Sequence, residues 1–273
     1  MPSKRTAKEE VFVVFGSSTD SGCYSKIISG LEGYKVRNRF AVLSAHKTPK
    51  ELAKALKKTP AKIFIAGAGM AAALPGVVAA ETIKPVVGVP CFGAYNGLDA
   101  FLSTHQMPPG MPVIGVGMEA ANDAAILAKS YLGGLEKIVL LVPTSESAMK
   151  AMAKAEVQLA ELGIKAKKSH SIKGGKVVYL RFVDALMEMV FNDDAIVINV
   201  PVKEGSNEED ALLVFRMARK GYWVGLNRAE NAAIAAVQLI NLKGKYNAKL
   251  NAYRKKIAKK VLDSNKELTK LRK

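Results

Sequence analysis

Short apolar runs alternate with Ala-rich helical patterns through the first half of the chain, and this alternation restricts the fold more than any other feature. Each run is apolar at nearly every position, as expected for strands that are buried on both faces of a parallel sheet. The order strand, helix, strand predicts right-handed crossovers with helices on both sides of that sheet. We therefore predict an α/β fold, a three-layer αβα sandwich. The runs are VFVVFG, RFAVLS, KIFIAG, PVVGVP and PVIGVG.

The same pattern restarts after Gly133 and Gly134. The segment beginning KIVLLVPTSES repeats the plan of the one beginning VFVVFGSSTDS, with a strand, a Ser/Thr-rich turn, a helix, a strand and a Ser-His element. We interpret this as an internal duplication with a period of about 125 residues. The predicted divisions are a first copy at 1–134, a degenerate second copy at 135–242 and a basic helical tail at 243–273.

The net charge of +17 is concentrated at the carboxyl end. Residues 243–273 contain twelve basic and two acidic side chains, so the rest of the chain carries +7. A helical spacing of apolar residues predicts an amphipathic helix or helix pair that docks an apolar stripe. We expect no nucleic-acid partner, although RNA binding by the tail stays an alternative. The stripe comprises Leu250, Tyr253, Ile257, Val261, Leu268 and Leu271.

Composition argues against a membrane or secreted protein. No apolar stretch approaches the ~20 residues of a membrane span, and the start MPSKRTAKEE lacks the apolar core of a signal peptide. Two cysteines, Cys23 and Cys91, are too few for a disulfide framework and have no metal-ligand spacing. We expect a cytoplasmic location and neither a metal nor a cofactor.

Three turns at predicted strand ends are candidates for a ligand site, because ligands of open parallel sheets bind beyond the carboxyl ends of the strands. They are Gly16–Gly22, Ser44–Pro49 and Ala66–Gly76. Each has an ordinary explanation alone, as a helix cap, a structural histidine or a weak dinucleotide fingerprint. Their occurrence together at adjacent strand ends is much more specific.

The ordered motifs GSSTD, SAHKTP, AGAGMAAALPG, PVVGVP and GLDAFLSTHQMPPGMPV resemble the PurE family of purine biosynthesis over about residues 11 to 132. The resemblance returns in RAENAA at 228–233 and in the tail, which is similar to the carboxyl-terminal extension of archaeal members. The resemblance implies a flavodoxin-like fold and an octamer with sites at subunit junctions. It also implies formation of carboxyaminoimidazole ribonucleotide, either from the N-carboxy isomer (mutase) or from aminoimidazole ribonucleotide and carbon dioxide (carboxylase).

His46 is the candidate catalytic residue. Carboxylation of an imidazole carbon releases the proton on that carbon, and a neutral imidazole can accept it at cellular pH. A phosphate would suit Lys47 and the Ser17 hydroxyl. By resemblance, Ser17, Ser44 and Lys47 line the phosphate and Asp20 accepts from the ribose hydroxyls. The main chain around Gly69 borders the base and carboxylate, and the Ala-rich wall that starts at Ala71 is compatible with a dry pocket for carbon dioxide, transient or as co-substrate.

Two positions divide the alternatives. Ala73 stands where mutases of the family typically have a second histidine, and Lys47 stands where they usually have arginine. The AGAG and LPG motifs are mutase-like, so we favour the mutase and keep the carboxylase as the alternative. A non-catalytic nucleotide-binding relative is the third reading. His105 could replace the missing histidine in a neighbouring subunit, or it could be a packed residue.

The second copy lacks an AGAG-type turn and has PTSES and SHS in place of GSSTD and SAHK. We expect this copy to be catalytically silent and to act as a structural partner, with His170 structural. Four chains would then mimic the family octamer as a homotetramer.

Overall fold

The computed structural model describes residues 9–118, 120–184, 195–205 and 207–270. The polar start at 1–8, part of the bulky stretch of the second half at 185–194, and Leu271 lie outside these ranges. The strands are β1 (Val11–Phe15), β2 (Asn38–Val42), β3 (Ile63–Ala68), β4 (Val86–Pro90), β5 (Ile114–Val116), β6 (Lys137–Leu141), β7 (Lys167–Ser169), β8 (Val177–Asp184), β9 (Ile196–Val202) and β10 (Tyr222–Trp223). The helices are α1 (Ser21–Gly33), α2 (Pro49–Lys58), α3 (Ala73–Glu81), α4 (Leu98–His105), α5 (Ala121–Leu132), α6 (Glu146–Glu161), α7 (Glu208–Met217), α8 (Ala229–Leu239) and α9 (Asn247–Lys270).

All ten described strands belong to one sheet, in the order β2-β1-β3-β4-β5-β10-β9-β8-β6-β7. Neighbouring strands run parallel except β5 and β10, which pair antiparallel through Val116 with Tyr222 and Gly115 with Trp223. The prediction of an α/β fold with a mostly parallel sheet is confirmed. The antiparallel junction, which joins the two halves edge to edge, was not predicted.

The central strands β1, β3 and β4 are apolar along their length because both faces of the sheet are covered there. On β1, Val11, Val13 and Phe15 face a core that includes residues of α1, α5, α6 and α8. The alternate residues Phe12 and Val14 face a second core that includes residues of α2 and α3. Helices α4 and α7 cover the same side further along, around Phe101, Val214 and Trp223. The result is three layers.

Helix α4 was not predicted from the sequence. It packs directly onto glycines of two neighbouring strands. Gly88 of β4 pairs with Gly115 of β5. A Cβ atom at Gly88 would lie 2.4 Å from Cγ2 of Thr104, and one at Gly115 would lie 2.1 Å from Nε2 of His105. Any larger residue at either position would collide with the helix, so the glycines inside PVVGVP and PVIGVG set how closely α4 approaches the sheet.

His105 is buried in this contact, with 2% of its surface exposed. Its Nδ1 lies 2.8 Å from the carbonyl oxygen of Phe101, and its ring stacks on the Phe101 ring with centroids 4.0 Å apart. A side chain in this position cannot reach a site in a neighbouring subunit, so that alternative is wrong and the packed reading is right. Burial lowers the pKa of His105 to about 4.

The tail forms a single long helix, α9, whose apolar stripe is covered only near its start. Leu250 is buried, whereas Val261 and Leu268 are 70% and 63% exposed. Arg254 donates to the carbonyl oxygens of Ala79 and Thr82 at 2.7 and 3.1 Å, which ties α9 to the end of α3. We expected the whole apolar stripe to dock, and this prediction is wrong for the part of α9 that contains Val261 and Leu268. No helix among the described residues is long and apolar enough to cross a membrane.

The burial of His105 predicts a pH dependence of stability. The unfolded chain binds a proton at this side chain near pH 6.5, whereas the folded chain does so only near pH 4. Between these values the unfolded state holds more protons, so the free energy of unfolding should fall by roughly 1.4 kcal/mol per pH unit as the pH is lowered. Urea unfolding of the wild type and His105→Gln from pH 7 to pH 4.5 measures this slope. We expect the variant to lose it, whereas replacement of the exposed His170 by Gln should retain it. Equal slopes in all three proteins would contradict the prediction.

Candidate active site

The three predicted turns lie side by side at one edge of the sheet. Strand β1 lies between β2 and β3 and runs parallel to both. The Leu43 N–H donates to the carbonyl of Phe15 at 2.9 Å, and the Gly16 N–H donates to the carbonyl of Gly67 at 3.1 Å. The turns are therefore tied to one another by main chain where the strands end.

The first turn is held by its own hydroxyl groups. Ser17 caps the short 3-10 turn at 18–20, because its Oγ accepts from the Thr19 N–H at 3.2 Å and lies 2.8 Å from Thr19 Oγ1. Asp20 follows at the start of α1 and is half-buried. Burial raises the pKa of this carboxyl above its usual value. The Ser17 hydroxyl therefore stabilises the turn at 18–20, and Asp20 places a carboxylate at the site.

The second turn is a rigid loop that presents His46 and Lys47 to solvent. The Ser44 Oγ accepts from the N–H groups of His46 and Lys47 at 3.3 and 3.2 Å. The Thr48 hydroxyl accepts from the Ser44 N–H at 2.8 Å and donates to the Ser44 carbonyl at 3.2 Å. Pro49 then begins α2. This network positions the backbone of His46. The side chains of His46 and Lys47 are both exposed.

The third turn approaches the first through glycine. The Phe15 ring occupies the space beside Gly67, where a Cβ atom would lie 2.2 Å from it. At Gly69, a Cβ atom would lie 3.8 Å from Oδ1 of Asp20 and 3.5 Å from the carbonyl oxygen of Phe92. The structure therefore brings Asp20 and Gly69 together. Met70 follows with a φ of +53° and is exposed, as is Ala71.

A cavity of about 580 Å³ opens beside Asp20. Among the residues proposed from sequence, Asp20 is the one that lines it, whereas the loop that carries His46 lies on the far side of β1. Sequence reasoning did not select Lys26, Phe92 or Met118. Lys26 lies one helical turn after Gly22 on α1, so helical periodicity could have placed it at the site. The lining is Thr19, Asp20, Gly22, Cys23, Lys26, Cys91, Phe92, Met118 and Ala121.

The corresponding turns of the second half lie at the opposite edge of the sheet. Because β5 and β10 are antiparallel while the strands within each half are parallel, the carboxyl ends of the two sets point in opposite directions. Ser145 caps α6 by accepting from the Ala148 N–H at 3.3 Å, and His170 follows β7 in an exposed position. Neither residue can contribute to the first site of its own chain.

The described residues include no group of three or more His, Cys, Asp or Glu side chains arranged to hold a metal ion. The surface at these strand ends carries the half-buried Asp20 carboxylate and the exposed Lys26 at the cavity, and the exposed side chains of His46 and Lys47 on the neighbouring loop. Such a site suits a polar, anionic small molecule that lies against main chain.

Residues 10–140 match the family model described as AIR carboxylase. The N5-carboxyaminoimidazole ribonucleotide mutase of Methanocaldococcus jannaschii is 44% identical over 122 residues, which cover 45% of this chain and 78% of the relative. The enzyme of the same name from Pyrococcus abyssi is 44% identical over 127 residues, which cover 45% of this chain and 73% of that relative. A phosphoribosylaminoimidazole carboxylase of Ogataea methanolica is 42% identical over 132 residues, covering 47% of this chain and 24% of the relative. The chain belongs to the AIR carboxylase, or PurE, family, as its motifs predicted.

Proposed function

We propose that this chain is an enzyme of de novo purine biosynthesis that converts N5-carboxyaminoimidazole ribonucleotide into 4-carboxy-5-aminoimidazole ribonucleotide. The observation that carries the proposal is the set of GSSTD, SAHKTP and AGAG turns at three adjacent strand ends, within the segment that matches the family. The relatives named as mutases, at 44% identity, support the same reaction. A cytoplasmic location accords with such a pathway.

The reaction moves a carboxylate from the exocyclic nitrogen to a ring carbon. The N–C bond breaks and releases carbon dioxide, and the ring carbon then attacks that carbon dioxide to form the new C–C bond. The ring carbon must finally lose its proton to restore aromaticity. His46 accepts this proton and returns it to the exocyclic nitrogen, so the isomerisation is balanced without a cofactor. Histidine is the side chain that most often transfers protons in this way in enzymes.

The remaining site residues bind and orient the ribonucleotide. Asp20 accepts from the ribose hydroxyls, while Ser17, Ser44 and Lys47 hold the phosphate and neighbouring atoms. Ser44 also fixes the loop that carries His46, since its Oγ accepts from two amides of that loop. The main chain at Gly69 and the wall at Ala71 border the base and the released carbon dioxide.

The carboxylase reaction is the second candidate, because Ala73 and Lys47 depart from the mutase pattern and one relative bears the carboxylase name. The two activities differ in substrate. A mutase forms product from the N-carboxy isomer at once, whereas a carboxylase forms it from aminoimidazole ribonucleotide only when carbon dioxide is supplied. Each substrate, given separately while product absorbance is followed, distinguishes them. Binding without turnover of either substrate would favour a non-catalytic relative.

His46→Asn should lower turnover by about 10²–10⁴-fold, because it removes the proton acceptor and keeps a polar side chain of similar size. Nucleotide affinity should change much less. His170→Asn is the matched control, since it makes the same substitution at the opposite sheet edge, and it should leave turnover unchanged. Steady-state rates of the three proteins test this. A wild-type rate in His46→Asn would remove His46 from the mechanism.

We also propose that the second half is a silent copy of the first that supports it. The order β7-β6-β8-β9-β10 repeats β2-β1-β3-β4-β5 position by position, which supports a duplication. Asn231 donates to the carbonyl of Pro108 at 3.0 Å and accepts from the Gly110 N–H at 2.8 Å. Arg228 donates to the Met107 carbonyl at 2.9 Å. The RAENAA helix of the second half thus holds the MPPG turn of the first.

One ribonucleotide should bind per chain, at the first half. Ser17 and Ser145 occupy equivalent turns and each caps a helical segment, so Ser17→Ala and Ser145→Ala remove comparable hydrogen bonds. Isothermal titration with aminoimidazole ribonucleotide should give one site per chain, with affinity reduced about tenfold by Ser17→Ala and unchanged by Ser145→Ala. Two sites per chain, or equal losses in the two variants, would show that the second half binds nucleotide.

We propose that four chains assemble around these sites. Apolar side chains at the rim of the cavity are exposed, with Met70 at 71%, Phe92 at 57% and Tyr95 at 80%. A neighbouring chain that covers them would remove this surface from water and close the site.

Light scattering should therefore give a particle of about four times the chain mass. Tyr95→Lys should shift it to smaller species by placing a charge in the covered surface. Val157→Lys, at an equally exposed valine on α6 of the second half, is the control and should not. A stable wild-type monomer would refute the assembly.

A further inference from the structure

The cavity wall contains both cysteines of the chain. Cys23 lies in the first turn of α1 and is partly exposed, whereas Cys91 follows β4 and is 2% exposed. Both side chains line the cavity beside Asp20, and Cys23 packs against the buried cluster that contains Cys91. The sequence separates the two residues by a full βαβαβ segment, so the fold is what brings the thiols into contact.

We propose that Cys23 and Cys91 form an oxidant-reactive pair, in which Cys23 is attacked first and Cys91 closes an intramolecular disulfide in the cavity wall. Cys23 borders the solvent-open cavity, which gives a small oxidant access. Cys91 also lines the cavity, but only 2% of its surface is exposed. The division of roles therefore follows from exposure.

The electrostatic environment favours the same division. The hydrogen bond from Cys91 lowers the pKa of Cys23, with a further contribution from the Lys26 ammonium, while burial and Asp20 oppose it. The hydrogen bond to Cys23, together with burial, raises the pKa of Cys91. The thiolate is the nucleophilic form of cysteine, so Cys23 is the attacking residue and Cys91 keeps its proton until the second step.

Hydrogen peroxide serves as the oxidant, and the steps balance. The Cys23 thiolate attacks one peroxide oxygen, the O–O bond breaks and hydroxide leaves, which gives a sulfenic acid. The Cys91 sulfur then attacks the Cys23 sulfur, the S–S bond forms, the S–O bond breaks and water leaves with the Cys91 proton. Peroxide is reduced to water and two thiols are oxidised to one disulfide. None of this requires the ribonucleotide reaction.

The test uses the full chain. Cys23 and Cys91 are its two cysteines, so any loss of free thiol is assigned to them. Limited treatment with hydrogen peroxide should remove both thiols together, lower the mass by two hydrogen atoms and yield a Cys23–Cys91 cross-linked peptide, all reversed by dithiothreitol. Cys91→Ser should stop at a sulfenic acid on Cys23 that dimedone traps. Cys23→Ser should leave Cys91 unreacted under the same treatment.

Three results would overturn the proposal. They are a sulfenic acid on Cys23 of the wild type without a cross-link, a disulfide between two chains on a non-reducing gel, and oxidation of Cys91 in Cys23→Ser at the wild-type rate. The peptide map of the wild type decides the matter even if a serine variant fails to fold. Because the readout is chemical, a missing purine-biosynthetic activity would leave this result unaffected.

Discussion

The antiparallel pairing of β5 with β10 is the constraint on which the rest of the structure depends. It joins two parallel sheets into one and turns their carboxyl edges in opposite directions. The strands that meet there carry Ile114, Val116 and Trp223, which are buried, whereas the outer edge strand β7 carries exposed lysines at 167 and 168. Charged edges resist further strand pairing and apolar edges invite it. Each half therefore needs the other to cover its inner edge.

The two halves also meet away from the strand junction, at the turn that follows α4. The contacts of Arg228 and Asn231 fall on the turn at 107–110, which follows α4, and α4 packs on β4 and β5. The cavity lies where these two strands and β1 end. Helix α8 and the residue before it therefore contact the MPPG turn between α4 and β5, and residues that follow β4 and β5 line the cavity.

Much of the fold follows from the sequence because its signals are local. Doubly buried strands and Ala-rich helices have distinct patterns, which predict the alternation of strands and helices in both halves. The β5–β10 junction has no such signal, since β10 has two residues and its pairing joins positions far apart in the chain. Helix α4 was missed for a related reason, because its close packing depends on Gly88 and Gly115 of other elements. At the site, the motifs identified the three turns and helical periodicity could have placed Lys26, but the approach of Cys23 to Cys91 depends on how α1 and the end of β4 meet.

The end of β9 in the second half differs from the end of β4 in the first half. The fourth strand of the first half, β4, ends at the cavity, with Cys91 and Phe92 in its wall. The fourth strand of the second half, β9, ends instead at Lys203, which forms an ion pair with Asp210, a residue 2% exposed. Asn227 accepts from the Lys203 N–H at 3.1 Å and donates to its carbonyl at 2.9 Å. Polar groups that already pair with one another in this way have few free donors and acceptors for a ligand. The two strand ends therefore differ in that β4 borders an open cavity, whereas the polar groups at the end of β9 pair with one another.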